Sequence, residues 1–206
     1  MTDYDVTNDW NAAVPTRWKK FLEEWKPKKV LEVGSYEGST SCFIIDDVPT
    51  LSELYCIDTW TGGAEHIAAG DDMIAVEARF ENNIAIALNK KVERPIVVKL
   101  KGNSHRMLSA LMHDHEGTFD WIYIDGSHTA ADVLTDACLC VHLLRPGGII
   151  VFDDYEWKPG GPSDKPFDAQ CPKMAIDFFV ATHESVVDVL EWGYQVFVRK
   201  TGKRGQ

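Results

Sequence analysis

The stretch FDWIYIDGSH (residues 119–128) runs from an apolar segment directly into an aspartate, a glycine and a histidine. Further along the chain, GGIIVFDDY (147–155) repeats the pattern and ends its apolar run at Asp153 and Asp154. Continuous apolar runs of this kind are typical of strands that are buried on both faces of a parallel sheet. Ligands bind at the carboxyl ends of such strands, so the two acidic endings indicate a functional site.

The chain on either side of these strands alternates short apolar runs with longer helical patterns. Strands are predicted at 29–34, 54–59, 94–100, 119–125 and 148–154, and helices at 38–48, 71–89, 104–113, 130–144 and 173–183. This alternation builds right-handed βαβ units. Two last runs, 185–192 and 194–200, predict an antiparallel hairpin at one edge. We therefore expect an α/β fold with a doubly wound, mostly parallel seven-stranded sheet.

The chain is predicted to comprise an N-terminal helical segment (1–28), one main domain (29–200) and a flexible tail (201–206). In the first segment, residues 10–26 carry large apolar side chains at helical spacing, namely Trp10, Trp18, Phe21, Leu22 and Trp25. Such an amphipathic helix is expected to pack on the sheet. A role in the wall of a substrate site is the alternative.

Composition excludes several classes of partner. The net charge is −11, and a nucleic-acid phosphate backbone requires a Lys/Arg surface, so we expect no nucleic acid. No apolar run approaches the roughly 20 residues of a membrane helix, and the first residues do not resemble a signal peptide. The five cysteines lack metal-ligand spacing and are expected to be reduced packing residues, which favours a cytoplasmic protein.

The loop EVGSYEGST (32–40) follows the first strand and predicts a cofactor site. Gly34 and Gly38 lie in the turn, where the absence of a Cβ lets a ligand approach the backbone. Tyr36 and Ser39 occupy the second and third glycine positions of the dinucleotide fingerprint, which disfavours NAD. Asp58 ends the second strand at a spacing suited to holding a ribose diol. The pattern indicates a nucleoside without a pyrophosphate.

Three motifs resemble those of the class I S-adenosylmethionine-dependent methyltransferases. VLEVGSYEGST (30–40) is similar to their first motif, CIDTW (56–60) to their second, and KGNS (101–104) to the stretch near the adenine. The resemblance implies a Rossmann-like methyltransferase domain that binds S-adenosylmethionine. The cofactor residues it implies are Glu32, Gly34, Ser35, Tyr36, Gly38, Ser39, Asp58, Thr59, Trp60, Gly102, Asn103, Ser104, Asp125 and Gly126.

The acids after the fourth and fifth strands are expected to meet, because parallel neighbours end at the same edge of the sheet. Three clustered carboxylates repel one another unless a cation lies between them, and Mg²⁺ or Ca²⁺ suits oxygen ligands. Structural roles as turn and capping acids are the alternative. The segment 123–155 resembles a subgroup of metal-dependent O-methyltransferases that act on sugar hydroxyls. That resemblance implies Asp125, Asp153 and Asp154 as metal ligands, and a small-molecule or sugar hydroxyl as the acceptor.

His128 and Asp125 are the candidate catalytic residues. A histidine beside carboxylates can take the acceptor's proton, but His128 also precedes a helix, where Thr129 and Asp132 resemble a capping box. Both roles remain open at this point. The alternatives to a metal-assisted enzyme are a metal-independent methyltransferase of the same fold, an NAD-binding oxidoreductase and a non-catalytic binding module.

Two long loops, 60–72 and 155–172, are expected to act as lids. They supply the candidate substrate contacts Trp60, His66, Tyr155, Trp157 and Lys158, each of which could equally be a packing or surface residue. Because the segment before the first strand is short, these loops are expected to recognise the acceptor. Whether they do so alone or with a second subunit of a homodimer remains open.

Overall fold

The computed structural model describes residues 4–158 and 169–202. The helices of the described chain are α1 (Val14–Trp25), α2 (Ser39–Asp47), α3 (Ala64–Ala69), α4 (Met73–Asn89), α5 (Ser104–His115), α6 (Ala130–Leu143) and α7 (Pro172–Thr182). The strands are β1 (Lys29–Val33), β2 (Glu53–Asp58), β3 (Ile96–Lys101), β4 (Phe119–Ile124), β5 (Leu144–Phe152), β6 (Val187–Glu191) and β7 (Val196–Lys200).

The seven strands form a sheet in the order β3-β2-β1-β4-β5-β7-β6. The β1–β2, β2–β3 and β4–β5 pairs are parallel, whereas β7 runs antiparallel to both β5 and β6. The central strands are rich in buried apolar side chains because helices cover such sheets on both faces. This architecture confirms the predicted doubly wound α/β fold with an antiparallel hairpin at the C-terminal edge.

The chain divides into two compact units, residues 1–102 and 103–206. In the first unit, β1, β2 and β3 carry a core to which α4 contributes Val76, Phe80 and Ile84. In the second unit, α6 packs against α5 and α7 and also contacts β4 and β5. Trp121, Phe152, Phe179 and Phe197 fill the interior of this second unit.

Helix α1 begins later than the amphipathic pattern predicted. It starts at Val14, with Pro15 in its first turn, and Trp10 lies outside it with 65% of its surface exposed. Proline lacks an amide hydrogen and is tolerated in the first turn of a helix, so Pro15 marks this boundary. Trp18, Phe21 and Leu22 are buried as the pattern predicted.

Two further elements differ from their predicted extents. The loop 60–72 contains the short helix α3, and β5 begins at Leu144, where the sequence predicted the end of a helix. Leu144 pairs with Phe119 of β4, so the RPGG segment belongs to the strand rather than to a turn. Of the second predicted lid, residues 159–168 lie outside the described chain, as do 203–206 of the predicted tail. No helix within the described ranges has the length and apolar character required to cross a membrane.

Candidate active site

The loop after β1 is a tight turn that needs left-handed backbone at three positions. Gly34, Tyr36 and Gly38 have φ values of 90°, 44° and 81°, and Gly38 immediately precedes α2. A Cβ at Gly38 would lie 3.0 Å from Cδ2 of Phe80 on α4. Glycine is therefore required at position 38 both for its backbone conformation and for the close approach of α4. Ser39 is the first residue of α2.

Asp58, the last residue of β2, holds this loop. Its Oδ2 accepts hydrogen bonds from the backbone amides of Ser35 at 3.0 Å and Tyr36 at 2.9 Å. Its Oδ1 accepts one from the amide of Trp60 at 2.7 Å, and the Trp60 indole donates to the Tyr36 carbonyl at 2.9 Å. The loops after β1 and β2 are thus tied together through one carboxylate.

Four more predicted cofactor residues follow β2 or β3, or begin α5. The Gly102 amide donates to the Asp58 carbonyl at 2.8 Å, and the Thr59 hydroxyl accepts from the amide of Thr61 at 3.2 Å. In the second unit, the Asn103 side chain accepts from the amide of His105 at the start of α5, and Ser104 is the first residue of that helix. The first unit therefore gathers most of the predicted cofactor residues around one turn.

Glu32 is fully buried on β1 beneath the same loop. Its Oε2 accepts hydrogen bonds from the hydroxyls of Ser35, at 2.8 Å, and Ser41. Burial raises the pKa of this carboxyl to about 7, since the charged form loses its hydration, and the two serine hydroxyls only partly offset the effect. Oε1 has no hydrogen-bond partner among the described residues. Glu32 therefore positions Ser35 from below the loop.

In the second unit, Asp125 and Asp153 lie side by side because they follow paired parallel strands. Ile124 of β4 is in register with Phe152 of β5, and the Asp153 amide continues the ladder to the Ile124 carbonyl. Tyr123 donates from the same edge: its hydroxyl lies 3.0 Å from Oδ2 of Asp125 and also contacts Oδ2 of Asp153. The structure thus brings two of the three predicted metal ligands to one phenol.

Asp153 is deeply placed and extensively hydrogen-bonded. Besides Tyr123, its Oδ2 accepts from Nε2 of Gln195 at 3.0 Å, and Oδ1 accepts from the amide of Asp154 at 2.8 Å. Burial raises the pKa of the Asp153 carboxyl, and the negative charge of Asp154 raises it further. The site therefore concentrates negative charge in a place that is poorly hydrated.

Asp154 adopts the left-handed φ of 57° and forms a separate cluster with His128 and Tyr194. Its Oδ2 lies 2.8 Å from Nε2 of His128, and its Oδ1 accepts a 2.6 Å hydrogen bond from the Tyr194 hydroxyl. The His128 ring stacks on Trp157 with a centroid distance of 3.9 Å. A non-glycine residue in this conformation is uncommon, and such strain occurs preferentially at functional sites.

The capping box that Thr129 and Asp132 resembled does not form. Thr129 is the N-cap of α6, but its side chain makes no capping hydrogen bond and instead donates to Oδ2 of Asp132 at 2.8 Å. Ser127 donates to the same carboxylate oxygen at 2.8 Å. These bonds order the turn that carries Gly126 and His128.

A divalent cation needs several oxygen ligands that converge on one point. Within the described ranges, no group of three or more His, Cys, Asp or Glu side chains is arranged to hold a metal ion. The chemistry of the set nevertheless fits, because two carboxylates share the single proton of the Tyr123 hydroxyl and a cation between them would relieve their repulsion. Hard cations prefer such carboxylate oxygens.

Sequence reasoning did not identify Tyr123, Tyr194 and Gln195. Tyr123 could have been found, because residues two apart on a strand share a face and Tyr123 precedes Asp125 by two. The position of Tyr194 and Gln195 at the site depends on the register of the antiparallel β5–β7 pair, in which Phe152 lies opposite Val196. That register places the residues before β7 beside those that follow β5.

The proposed substrate contacts occupy different environments. The Trp60 ring is buried against Phe80 with a centroid distance of 4.8 Å. Trp157 covers His128, and the Tyr155 hydroxyl donates to Asp177 of α7 at 2.8 Å. Lys158 is exposed, and His66 is half-buried on α3. In this conformation the Trp60 side chain is therefore a packing residue and is not exposed to a substrate.

The chain matches a known protein family over most of its central region. A family model described as a methyltransferase domain matches residues 31–155, which contain both the loop after β1 and the acids after β4 and β5. A search of curated proteins finds no match.

Several solved structures share the fold at low sequence identity. The O-methyltransferase TomG from Streptomyces achromogenes, in complex with SAM, is 18% identical with a TM-score of 0.68, covering 98% of this chain and 84% of that one. An O-methyltransferase from Bacillus cereus, in complex with SAH, is 18% identical with a TM-score of 0.61, covering 97% and 84%. The MycE methyltransferase from the mycinamycin biosynthetic pathway, in complex with Mg and SAH, is 16% identical with a TM-score of 0.61, covering 90% and 48%.

The family match spans more than half of the chain, and the fold agrees with it. This match sets aside the NAD-binding oxidoreductase that was an alternative from the sequence. The chain belongs to the methyltransferase domain family and is an S-adenosylmethionine-dependent methyltransferase.

Proposed function

We propose that this protein transfers the methyl group of S-adenosylmethionine to a hydroxyl of a small molecule or a sugar moiety. The observation that carries the proposal is the 2.8 Å contact between His128 and Asp154, beside the Asp125 and Asp153 pair. A histidine that is oriented by a carboxylate is suited to remove a proton from a hydroxyl. The O-methyltransferases among the structural matches support an oxygen acceptor.

The loop after β1 is the proposed cofactor site. Gly34, with its left-handed φ of 90°, is the proposed point of close approach of the cofactor, and Asp58 is the proposed partner of the ribose hydroxyls. In the conformation described, Asp58 already accepts from the amides of Ser35 and Tyr36. We expect these bonds to keep the loop organised so that cofactor binding needs little rearrangement.

Asp125, Asp153 and Asp154 would hold a divalent cation, for which Mg²⁺ is the first choice. When bound, such an ion lowers the pKa of a coordinated hydroxyl and thereby favours the nucleophilic oxyanion. The MycE structure contains Mg, which supports the choice of ion. Repulsion between the carboxylates would also be relieved by the cation's charge.

His128 is the proposed general base. Its Nε2 lies 2.8 Å from Oδ2 of Asp154, so this carboxylate orients the imidazole ring for the proposed removal of the acceptor's proton. The acceptor oxygen forms a bond to the methyl carbon as the carbon–sulfur bond breaks, and the bonding pair remains on sulfur as a neutral thioether. Asp154 then stabilises the imidazolium, and the Trp157 ring limits access of water to it.

A metal-independent O-methyltransferase is the second candidate. The contacts of Asp154 with His128 and Tyr194 favour this candidate. They occupy both oxygens of a predicted metal ligand and place it beside the proposed base. In this version Asp154 and His128 act together without an ion, and Tyr123 provides the proton between the other two acids.

The test combines binding with activity. Calorimetry with S-adenosylhomocysteine measures cofactor binding, and transfer of a labelled methyl group to a panel of hydroxyl compounds measures turnover. We expect binding, and activity that EDTA abolishes and added Mg²⁺ restores. Activity that persists in EDTA selects the metal-independent candidate, whereas failure to bind S-adenosylhomocysteine contradicts both. An Asp125→Asn variant should lose activity while retaining the cofactor if Asp125 acts on the metal or acceptor.

A further inference from the structure

A pocket of about 290 Å³ lies in the first unit, and three aromatic residues are among those that line it. Trp10, Tyr36 and His66 line it from three segments: the N-terminal stretch, the loop after β1 and helix α3. The Tyr36 and His66 rings stack at 5.1 Å between centroids, and Trp10 lies 5.3 Å from Tyr36 and 5.9 Å from His66. Three aromatic rings therefore lie close together in the lining of one pocket.

The ring of Tyr36 is held in place by its backbone. Tyr36 has the left-handed φ of 44°, and its amide and carbonyl are both engaged, by Asp58 at 2.9 Å and by the Trp60 indole at 2.9 Å. Trp60 itself has a φ of 47°. Strained backbone of this kind persists only where surrounding bonds enforce it, so the backbone that carries the Tyr36 ring is preorganised.

The charge of the pocket is negative. Asp71 is among its lining residues, and none of the described residues that line it is a lysine or an arginine. The Tyr36 hydroxyl donates to Oδ2 of Asp71 at 3.3 Å, and burial together with Asp71 raises the pKa of Tyr36 to about 12, so the phenol stays neutral. The carboxylate is thus the lining group that contributes a full charge.

His66 contributes a neutral ring in this conformation. Its Nδ1 accepts a hydrogen bond from the amide of Gly63 at 3.0 Å. A nitrogen that accepts a hydrogen bond has no proton, so the imidazole is uncharged as long as this bond is kept. His66 therefore does not oppose the approach of a cation.

We propose that this pocket binds the alkylammonium group of a small-molecule ligand. Aromatic faces attract organic cations through their quadrupole, and a nearby carboxylate adds direct attraction. A neutral ligand would gain neither term.

The cofactor's own ammonium group is the principal competing occupant. Tyr36 belongs both to the proposed cofactor loop and to the pocket, so the two occupants can be separated only by competition. If the pocket is a site distinct from that of the cofactor, saturation with S-adenosylhomocysteine will leave a cation's affinity for it unchanged.

The experiment uses choline and its neutral isostere 3,3-dimethylbutan-1-ol, each titrated into the full-length protein by saturation-transfer NMR. We expect choline to bind about tenfold more tightly than the alcohol, both with and without saturating S-adenosylhomocysteine. Equal binding of the two compounds, no binding of choline, or displacement of choline by S-adenosylhomocysteine would each overturn the proposal.

Matched variants assign the binding to the pocket. Trp10→Ala should weaken choline binding about tenfold, whereas Trp192→Ala, which removes another exposed tryptophan from the second unit, should have no effect on it. Asp71→Asn should weaken choline binding several-fold more than Asp72→Asn, since Asp72 caps α4 and asparagine caps equally well. Equal effects within either pair would contradict the assignment. Calorimetry with S-adenosylhomocysteine on the same variants reports separately on the proposed cofactor site.

Discussion

Nε2 of His128 lies 2.8 Å from Oδ2 of Asp154, and these two residues come from the turns that follow neighbouring parallel strands. The carboxylate fixes the orientation of the imidazole. Trp157 stacks on the ring and restricts its rotation. This pair is the basis for the proposed role of His128 in proton transfer.

Replacing His128 by asparagine should lower the rate of methyl transfer by about 10² to 10⁴-fold, because the acceptor hydroxyl loses its base. The affinity for S-adenosylhomocysteine should remain unchanged. Single-turnover kinetics with a labelled methyl group measures the first quantity and calorimetry the second. His113→Asn, at a highly exposed histidine of α5, is the control. A decrease of less than about tenfold for His128→Asn would exclude the role of general base.

Glu32 should make the stability of the protein depend on pH. Its folded pKa of about 7 lies above the ordinary value of 4.5, so the folded protein binds this proton more tightly than the unfolded chain does. Its contribution is therefore complete below about pH 4.5 and is lost as the pH rises through 7, by on the order of 3 kcal/mol.

Urea unfolding at pH 5, 6, 7 and 8 measures this effect. Glu32→Gln keeps an acceptor for the hydroxyls of Ser35 and Ser41 but removes the titration, so its unfolding free energy should fall less over this range than that of the wild type. Glu23→Gln, at an exposed position of α1, should behave as the wild type does. Parallel pH profiles for the wild type and Glu32→Gln would show that Glu32 does not carry the dependence.

Gly38→Ala should destabilise the protein more than a simple change of backbone preference would. Gly38 and Gly117 both have left-handed φ values, 81° and 65°, but a Cβ at Gly38 meets Phe80 at 3.0 Å whereas one at Gly117 meets nothing within 4 Å. We expect a loss of about 1–2 kcal/mol for Gly117→Ala and about 2–4 kcal/mol for Gly38→Ala. Thermal unfolding compares the two variants, and similar losses would mean that Phe80 relaxes freely. Gly38→Ala should also weaken the binding of S-adenosylhomocysteine, because Gly38 belongs to the proposed cofactor loop.

Lys200 should contribute to stability through the end of α6. Its ammonium donates to the carbonyls of Val141 and Leu144, both at 2.7 Å, and these are among the oxygens that a helix end leaves without intrahelical partners. Lys200→Met should therefore lower the unfolding free energy by about 1–3 kcal/mol. Arg199→Met removes only a surface ion pair with Asp188 and should cost less than about 1 kcal/mol. Denaturant unfolding of both variants decides whether the difference exists.

Hydrophobic periodicity predicted most of the secondary structure of this chain. Apolar runs and helical spacing are local properties, so the strand–helix alternation and the C-terminal hairpin could be read from them. The helical spacing continues back to Trp10 and so predicts too early a start for α1, whereas Pro15 favours the first turn of a helix and sets the boundary at Val14. The start of β5 was missed because Leu144 belongs to the strand only through its pairing with Phe119, which is a contact between distant residues.

The acids and His128 could be named from the sequence because strand ends in a parallel sheet are recognisable, and the resemblance to methyltransferases gave them roles. What each acid contacts was decided by tertiary structure. Tyr123 joins Asp125 to Asp153, whereas Asp154 turns to His128 and Tyr194. These partnerships depend on strand register and on a left-handed backbone at Asp154, which arise when the sheet assembles and have no local signature along the chain.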